Sequence, residues 1–280
     1  MSFGDELGNR IIPTIHHVGI QMTQAENIYW TDIKSKFLEN NDFENFKNWN
    51  VVRYVPIYAE YQFQEHYGPQ VIELLLKHEK DIKLWKAALK EPYDGHNETS
   101  YSKISLKICG VEASPWTLKS AHHILTYLTN SNKSLNDFDQ IVEFGPGIGE
   151  TARIISDLSF TGDYYLYDLP EVYRISSYYN RKNSKVKTID HYSEVDASKK
   201  TLFISTWAIS EVPFELRNEV FTHFSDADFL LIYQNNVFEY DNQFYFTKTF
   251  PNLVKKGYKE IGIPFLDHIA NGNKYIITHI

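Results

Sequence analysis

Ile141-Val142-Glu143-Phe144-Gly145-Pro146-Gly147-Ile148-Gly149-Glu150 is the stretch on which the reading of this chain turns. An apolar run reaches an acid, turns through three glycines at alternate positions, and enters a helical pattern. Nineteen residues beyond Gly149, a second acid, Asp168, closes another apolar run, Tyr164-Tyr165-Leu166-Tyr167. A glycine turn between strand and helix, followed by an acid about 20 residues on, is how a βαβ unit holds a cofactor that contains adenosine.

Working outward, short apolar runs recur at 140–144, 164–167, 186–189, 202–205 and 229–233, with helical stretches between them at 150–158, 171–180 and 213–224. Strands alternating with helices predict a parallel sheet covered on both faces. Residues 258–264 and 274–280 read as two further strands joined by a loop containing Asn271-Gly272, a terminal hairpin whose last strand runs antiparallel to its neighbours. Upstream, Ser114-Pro115 opens a helix as N-cap and first-turn proline, with Leu118, Ala121, Leu125 and Leu128 on its buried face. The spacing of Val71, Leu75, His78, Ile82, Trp85 and Leu89 predicts one helix of about six turns from Pro69 to Lys90. His78, on that stripe, reads as a packed or partner-contacting histidine. Residues 1–68 carry only short helical hints around Ile28–Trp49 and an extended piece at Val51–Pro56. The division expected is an N-terminal, mainly helical region, residues 1–113, serving as cap or oligomer contact, and an α/β cofactor domain, residues 114–280.

The bulk numbers exclude several classes. The 280 residues are 42% hydrophobic and 23% charged, which predicts a packed core. The net charge is −8 and neither half of the chain is basic, so a nucleic-acid footprint is not expected. A single cysteine, Cys109, rules out an internal disulfide and a thiolate metal cluster. Met1–Thr14 lacks the pattern of an export signal, and no apolar run nears the roughly 18 residues of a membrane span. The expectation is a cytoplasmic protein without a membrane span.

The glycines read G-x-G-x-G, whereas a dinucleotide fingerprint needs G-x-G-x-x-G, and the sixth position is Glu150, which is expected to face the pyrophosphate. No Gly-Lys-Ser/Thr follows, so a phosphate-cradling loop is excluded as well. Glu143, just before the turn, suits a ligand carrying an ammonium. S-adenosylmethionine has that ammonium and a sulfonium and carries no phosphate. Asp168 suits its ribose hydroxyls, and Asp190, ending the third strand, its adenine amino group.

Val142-Glu143-Phe144-Gly145-Pro146-Gly147-Ile148-Gly149 resembles motif I of class I S-adenosylmethionine-dependent methyltransferases, with Asp168 and Asp190 matching the acids after their second and third strands. The resemblance covers about residues 114–280 and implies a Rossmann-like, seven-stranded methyltransferase sheet with an antiparallel terminal hairpin. More narrowly, residues 143–151, Tyr167-Asp168-Leu169-Pro170-Glu171 and Ile209-Ser210-Glu211-Val212-Pro213 are similar to bacterial sugar O-methyltransferases found with capsule or surface-glycan genes. This assigns Glu143, Gly145, Pro146, Gly147, Gly149, Asp168, Leu169 and Asp190 to the cofactor, with Ser205, Thr206 and Trp207 after the fourth strand beside them.

Ligands of open α/β sheets bind outside the carboxyl ends of the strands. The chemistry expected there is alignment of donor methyl and acceptor oxygen for in-line displacement, with a general base for the acceptor hydroxyl. His268, beside Asp267 in the hairpin loop, is the first choice for that base, and Glu211 the second, as base or as an orienting group. Gln234 and Asn235, after the fifth strand, and His66 and Tyr67 are assigned to the acceptor. The adjacent pairs His16-His17 and His122-His123 are expected to point apart, and no metal is assigned. The partner expected is a sugar, sugar nucleotide or glycan acceptor. Alternatives are another small polar acceptor, such as a phosphorus-containing capsule precursor or an amine, and a catalytically silent cofactor-binding subunit.

Overall fold

The computed structural model describes residues 57–90, 104–106, 110–266 and 272–278. Two helices come first, α1 (Ile57–Lys77) and α2 (Ile82–Ala88), followed by a short hairpin of β1 (Ile104–Leu106) and β2 (Val111–Ala113) and by α3 (Pro115–Ser131). The alternating part then runs β3 (Gln140–Phe144), α4 (Glu150–Asp157), β4 (Asp163–Tyr167), α5 (Pro170–Tyr179), β5 (Val186–Thr188), β6 (Thr201–Thr206), α6 (Phe214–His223) and β7 (Asp228–Tyr233). A two-residue ladder of β8 (Asn236–Val237) and β9 (Tyr240–Asp241) leads into α7 (Asn242–Phe244), which continues through a π turn and a 3-10 turn to Asn252. β10 (Tyr258–Gly262) and β11 (Lys274–Thr278) close the described chain.

Seven strands form one sheet in the order β10-β11-β7-β6-β3-β4-β5. The five from β7 to β5 are parallel, while β11 runs antiparallel to both β7 and β10. This is a Rossmann-like seven-stranded sheet with the antiparallel terminal hairpin expected from the sequence. The chain leaves β3 toward β4 and β5, then returns to β6 on the other side. The crevice beyond the carboxyl ends of β3 and β6 is therefore the switch point of the sheet, where ligands of such folds sit.

Strand alternation sends side chains to two cores. Ile141, Leu166, Ile204 and Ile232 point to one face and pack with Tyr67, Val71, Leu75, Leu118 and Ile155. Val142, Phe203, Leu231 and Ile276 point to the other and pack with Phe221, Tyr245 and Phe250. Among the described residues, the helices before residue 114 thus share one core with the sheet.

One helix boundary differs from expectation. Pro69 lies inside α1, not at its start, and the six-turn helix expected to Lys90 is interrupted at His78–Asp81. The apolar stripe continues across the break, and Val71, Leu75, Trp85 and Leu89 are all buried. His78 bonds Thr129 Oγ1 at 2.9 Å, a contact between the turn after α1 and α3. Ser114 caps α3 as expected, its Oγ accepting from Thr117 N, and Asn132 ends the helix in the left-handed region. The hints at Ile28–Trp49 and Val51–Pro56 and the pair His16-His17 lie outside the described residues.

Candidate functional site at the switch point

The turn after β3 is built by its glycines. Gly145, Gly147 and Gly149 all have positive φ, and Gly149 N donates to Pro146 O at 2.9 Å, closing the loop. Their missing side chains serve different ends. A Cβ on Gly145 would lie 2.0 Å from that of Ala208, so this glycine lets the loops after β3 and β6 touch. A Cβ on Gly149 would meet Asn180 Nδ2 at 2.5 Å, so this one lets α4 approach α5. Beside Gly147 there is open space, the side on which a ligand can approach.

Three electrostatically coupled carboxylates lie at this end of the sheet, Asp168 directly on the turn. Glu143 is buried at the end of β3, and its Oε2 accepts from Tyr164 Oη at 2.8 Å. Burial pushes its pKa up to about 7 against the help of the Tyr164 and Thr151 hydroxyls. Asp168, just past β4, bridges the turn: Oδ2 accepts from Gly147 N at 3.1 Å and Oδ1 from Leu169 N at 2.7 Å. Burial raises it too, to about 7. Glu211, ending a 3-10 turn after β6, is raised to about 7 by burial and by the charge of Asp168, with Arg217 opposing. Structurally, Arg217 brackets Glu211 by donating to Ser210 O and Val212 O, each at 2.7 Å, while stacking against Phe214, Tyr240 and Tyr245. The crevice thus gathers three acids whose ionisation burial disfavours more than the neighbouring donors and cations offset.

Glu150 is not part of it. The sequence reading sets this acid against a pyrophosphate, but its side chain turns into the protein. It accepts from Thr117 Oγ1 at 2.6 Å and Arg153 Nη2 at 2.6 Å, and from Tyr179 Oη. Arg153 in turn donates to Ala88 O and Asp157 Oδ2, both at 2.9 Å. Glu150 therefore ties α3, α4 and α5 together, and α2 through Arg153. Any case against a phosphate ligand rests instead on Glu143, Asp168 and Glu211.

The remaining assigned residues divide. Asp190 continues the β4–β5 register opposite Asp168 and is exposed. Ser205 is buried with both of its bonds internal, Oγ donating to Phe144 O at 2.9 Å and accepting from Ile209 N at 3.0 Å. Thr206 and Trp207 reach the crevice half-buried. Trp207 has φ 71°, a conformation costly for a bulky residue and fixed here by four bonds. Its N donates to Ile232 O and its Nε1 to Asn273 Oδ1, both at 2.9 Å, while its carbonyl accepts from Ser210 N and Oγ. Gln234 O and Asn235 O are held by Asn242, and the Asn235 side chain lies over Gly272. Tyr67 is fully buried, edge-on to His122, His123 and Phe265. His268 with Asp267, and the side chain of His66, lie outside the described residues.

Sequence reasoning missed one face of α3. His122 and His123 do not point apart: their Nδ1 atoms share the Tyr275 hydroxyl, at 2.9 and 2.6 Å. One turn earlier, Lys119 places its ammonium 4.9 Å from the Trp116 ring and 5.2 Å from the Trp207 ring. Burial lowers its pKa to about 8, with Glu143 pulling the other way. The available signal was the spacing of Trp116, Lys119 and His123, which share one helical face. Among the described residues no cluster of His, Cys, Asp and Glu is arranged to hold a metal, and no helix is long and apolar enough to cross a membrane.

No protein-family model matches the chain, and no curated protein matches it at a significant level. Solved structures are similar in part. A SAM-dependent methyltransferase from Aquifex aeolicus is 10% identical with a TM-score of 0.38, covering 50% of this chain and 80% of that one. A fibrillarin/Nop5p complex is 14% identical with a TM-score of 0.43, covering 68% and 91%. The mitomycin 7-O-methyltransferase MmcR is 10% identical with a TM-score of 0.35, covering 58% and 57%. Likenesses at this level carry no conclusion about activity, which has to come from the residues of this chain.

Proposed function

We propose that this chain binds S-adenosylmethionine over the glycine turn and is an O-methyltransferase. The observation that carries the proposal is the set of Glu143, Asp168 and Glu211, coupled through Asp168 on the open Gly147 turn and each pushed up to about 7 by burial. Under-compensated carboxylates favour a ligand that brings positive charge and hydroxyl donors, and they repel a pyrophosphate. In this reading Glu143 takes the ammonium, Asp168 the ribose hydroxyls and Asp190 the adenine edge. When bound, the cofactor supplies a methyl group on a sulfonium leaving group. Trp207, over-determined in its strained conformation, walls the place where an acceptor oxygen would align. Glu211, raised toward neutrality and bracketed by Arg217, is suited to receive the acceptor proton as the oxygen–carbon bond forms.

The finer reading is a sugar or sugar-linked acceptor in surface polysaccharide synthesis. It is supported by the resemblance of Tyr167–Glu171 and Ile209–Pro213 to sugar O-methyltransferases and by the indole walls Trp116 and Trp207, flat faces of the kind that stack on sugar rings. Calorimetric titration with S-adenosylmethionine and S-adenosylhomocysteine tests the core of the proposal. Binding of both at micromolar levels is expected, and no heat with either from a folded sample would sink it. Methyl transfer to nucleotide sugars, followed by mass spectrometry, then tests the acceptor class.

A further inference from the structure

Lys119 and His123, on the same face of α3 as Trp116, have no part in the function proposed above. His123 is 1% exposed, and its Nε2 is buried with no hydrogen-bond partner among the described residues. Leaving a buried polar group unpaired is costly, so such an atom calls for an explanation.

Its protonation follows from counting protons. Burial lowers both His122 and His123, so each ring is neutral and carries one N–H. The Tyr275 hydroxyl has a single proton for two Nδ1 neighbours, while Thr126 supplies it with a further side-chain hydrogen bond. The 2.9 Å contact fits an N–H donated by His122, and the shorter 2.6 Å contact fits the tyrosine O–H donated to His123. His123 Nδ1 is then an acceptor and its proton sits on Nε2, a donor without an acceptor. Lys119, four residues earlier on the same helical face, is donor-only and has no hydrogen-bond or ion-pair partner among the described residues. The Trp207 ring stands beside both, 5.5 Å from the His123 ring.

We propose that Lys119 and His123 form a carboxylate-binding subsite beside the glycine turn, with Tyr275 and His122 fixing the tautomer that presents the His123 Nε2–H. Two donors, one of them cationic, match the lone pairs of one carboxylate. A phosphate dianion is disfavoured so near the three acids. Glu143, whose charge acts on Lys119 without a direct ion pair, adds an acceptor of opposite sign, so that the two together complement an α-amino-acid zwitterion. The carboxylate has two sources, the methionyl end of the methyl donor or the acceptor. The inference rests on the methyl-donor reading above.

Calorimetry on the full chain separates the outcomes. Wild type, Lys119→Met and Tyr275→Phe are titrated with S-adenosylmethionine and with its decarboxylated form, and their S-adenosylhomocysteine complexes with glucuronate. A donor-derived carboxylate predicts that wild type prefers S-adenosylmethionine over the decarboxylated form by about tenfold or more, and that Lys119→Met erases the preference. An acceptor-derived carboxylate predicts equal binding of the two donors and glucuronate binding that Lys119→Met abolishes. In either case Tyr275→Phe weakens the same ligand less, because it frees the tautomer and leaves both donors in place. Wild type that binds both donors alike and shows no glucuronate binding overturns the subsite alone. Wild type that binds neither donor overturns the methyl-donor reading, and with it this one.

Discussion

Two glutamates flank the glycine turn, seven residues apart in sequence, both buried and opposite in use. Glu150 is saturated: Thr117, Arg153 and Tyr179 all donate to it, and the network ties four helices. Glu143 receives the hydroxyls of Tyr164 and Thr151, and burial leaves its pKa near 7. The lesson is that burial alone does not mark a functional acid. A buried carboxylate whose hydrogen bonds and charge are met by the protein holds the fold, whereas one left short of compensation is available to a ligand.

Breaking the saturated acid is expected to have the largest effect. Glu150→Ala strands Arg153 in the interior and should cost about 3–5 kcal/mol in urea unfolding. A loss under about 1 kcal/mol would erase the contrast with Glu143. Glu143→Gln should leave stability at pH 7.5 unchanged or higher, while affinity for S-adenosylmethionine falls about ten- to a hundredfold, the value of one charged hydrogen bond. Equal binding by wild type and variant would remove Glu143 from the site.

Stability should also follow pH through the crevice acids. Their folded-state pKa values lie near 7, against ordinary values of 4.5 for Glu143 and Glu211 and 3.8 for Asp168. Between those limits the folded protein holds protons that the unfolded chain has released, so stability falls as pH rises from about 4 to about 7 and then levels. Urea midpoints at pH 5 and 7.5 measure the decline, and Glu143→Gln should shrink it. The smallest effect is expected at Gly147. An alanine there meets open space and costs only its positive φ, about 1–2 kcal/mol. Gly149→Ala, pressed against Asn180, should lose more in the same urea unfolding.

Much of this was legible in the strand and turn pattern. The apolar runs at 140–144, 164–167, 202–205 and 229–233 became β3, β4, β6 and β7 within a residue or two. Each is short and bounded by turn formers, and β3, β6 and β7 are buried on both faces, the condition under which pattern and structure agree. The segment Asn242–Asn252 is not legible in the sequence, because its aromatic residues serve the Phe203–Phe221–Phe250 core and carry no single helical period. The break at His78–Asp81 was hidden for the converse reason, an apolar stripe that runs through it unbroken.

What the sequence determined by itself is the class of sheet, the place of the turn and the two acids bracketing its strand and its partner strand. These are local or nearest-neighbour features, written in glycine spacing and apolar periods. Tertiary structure decided which acids are spent and which are free. It turned Glu150 inward, raised Glu211 beside Asp168, forced Trp207 to positive φ, and brought His122, His123 and Tyr275 together from positions about 150 apart in sequence. Hydrogen-bond saturation and desolvation depend on everything packed around a group, and no spacing along the chain encodes that.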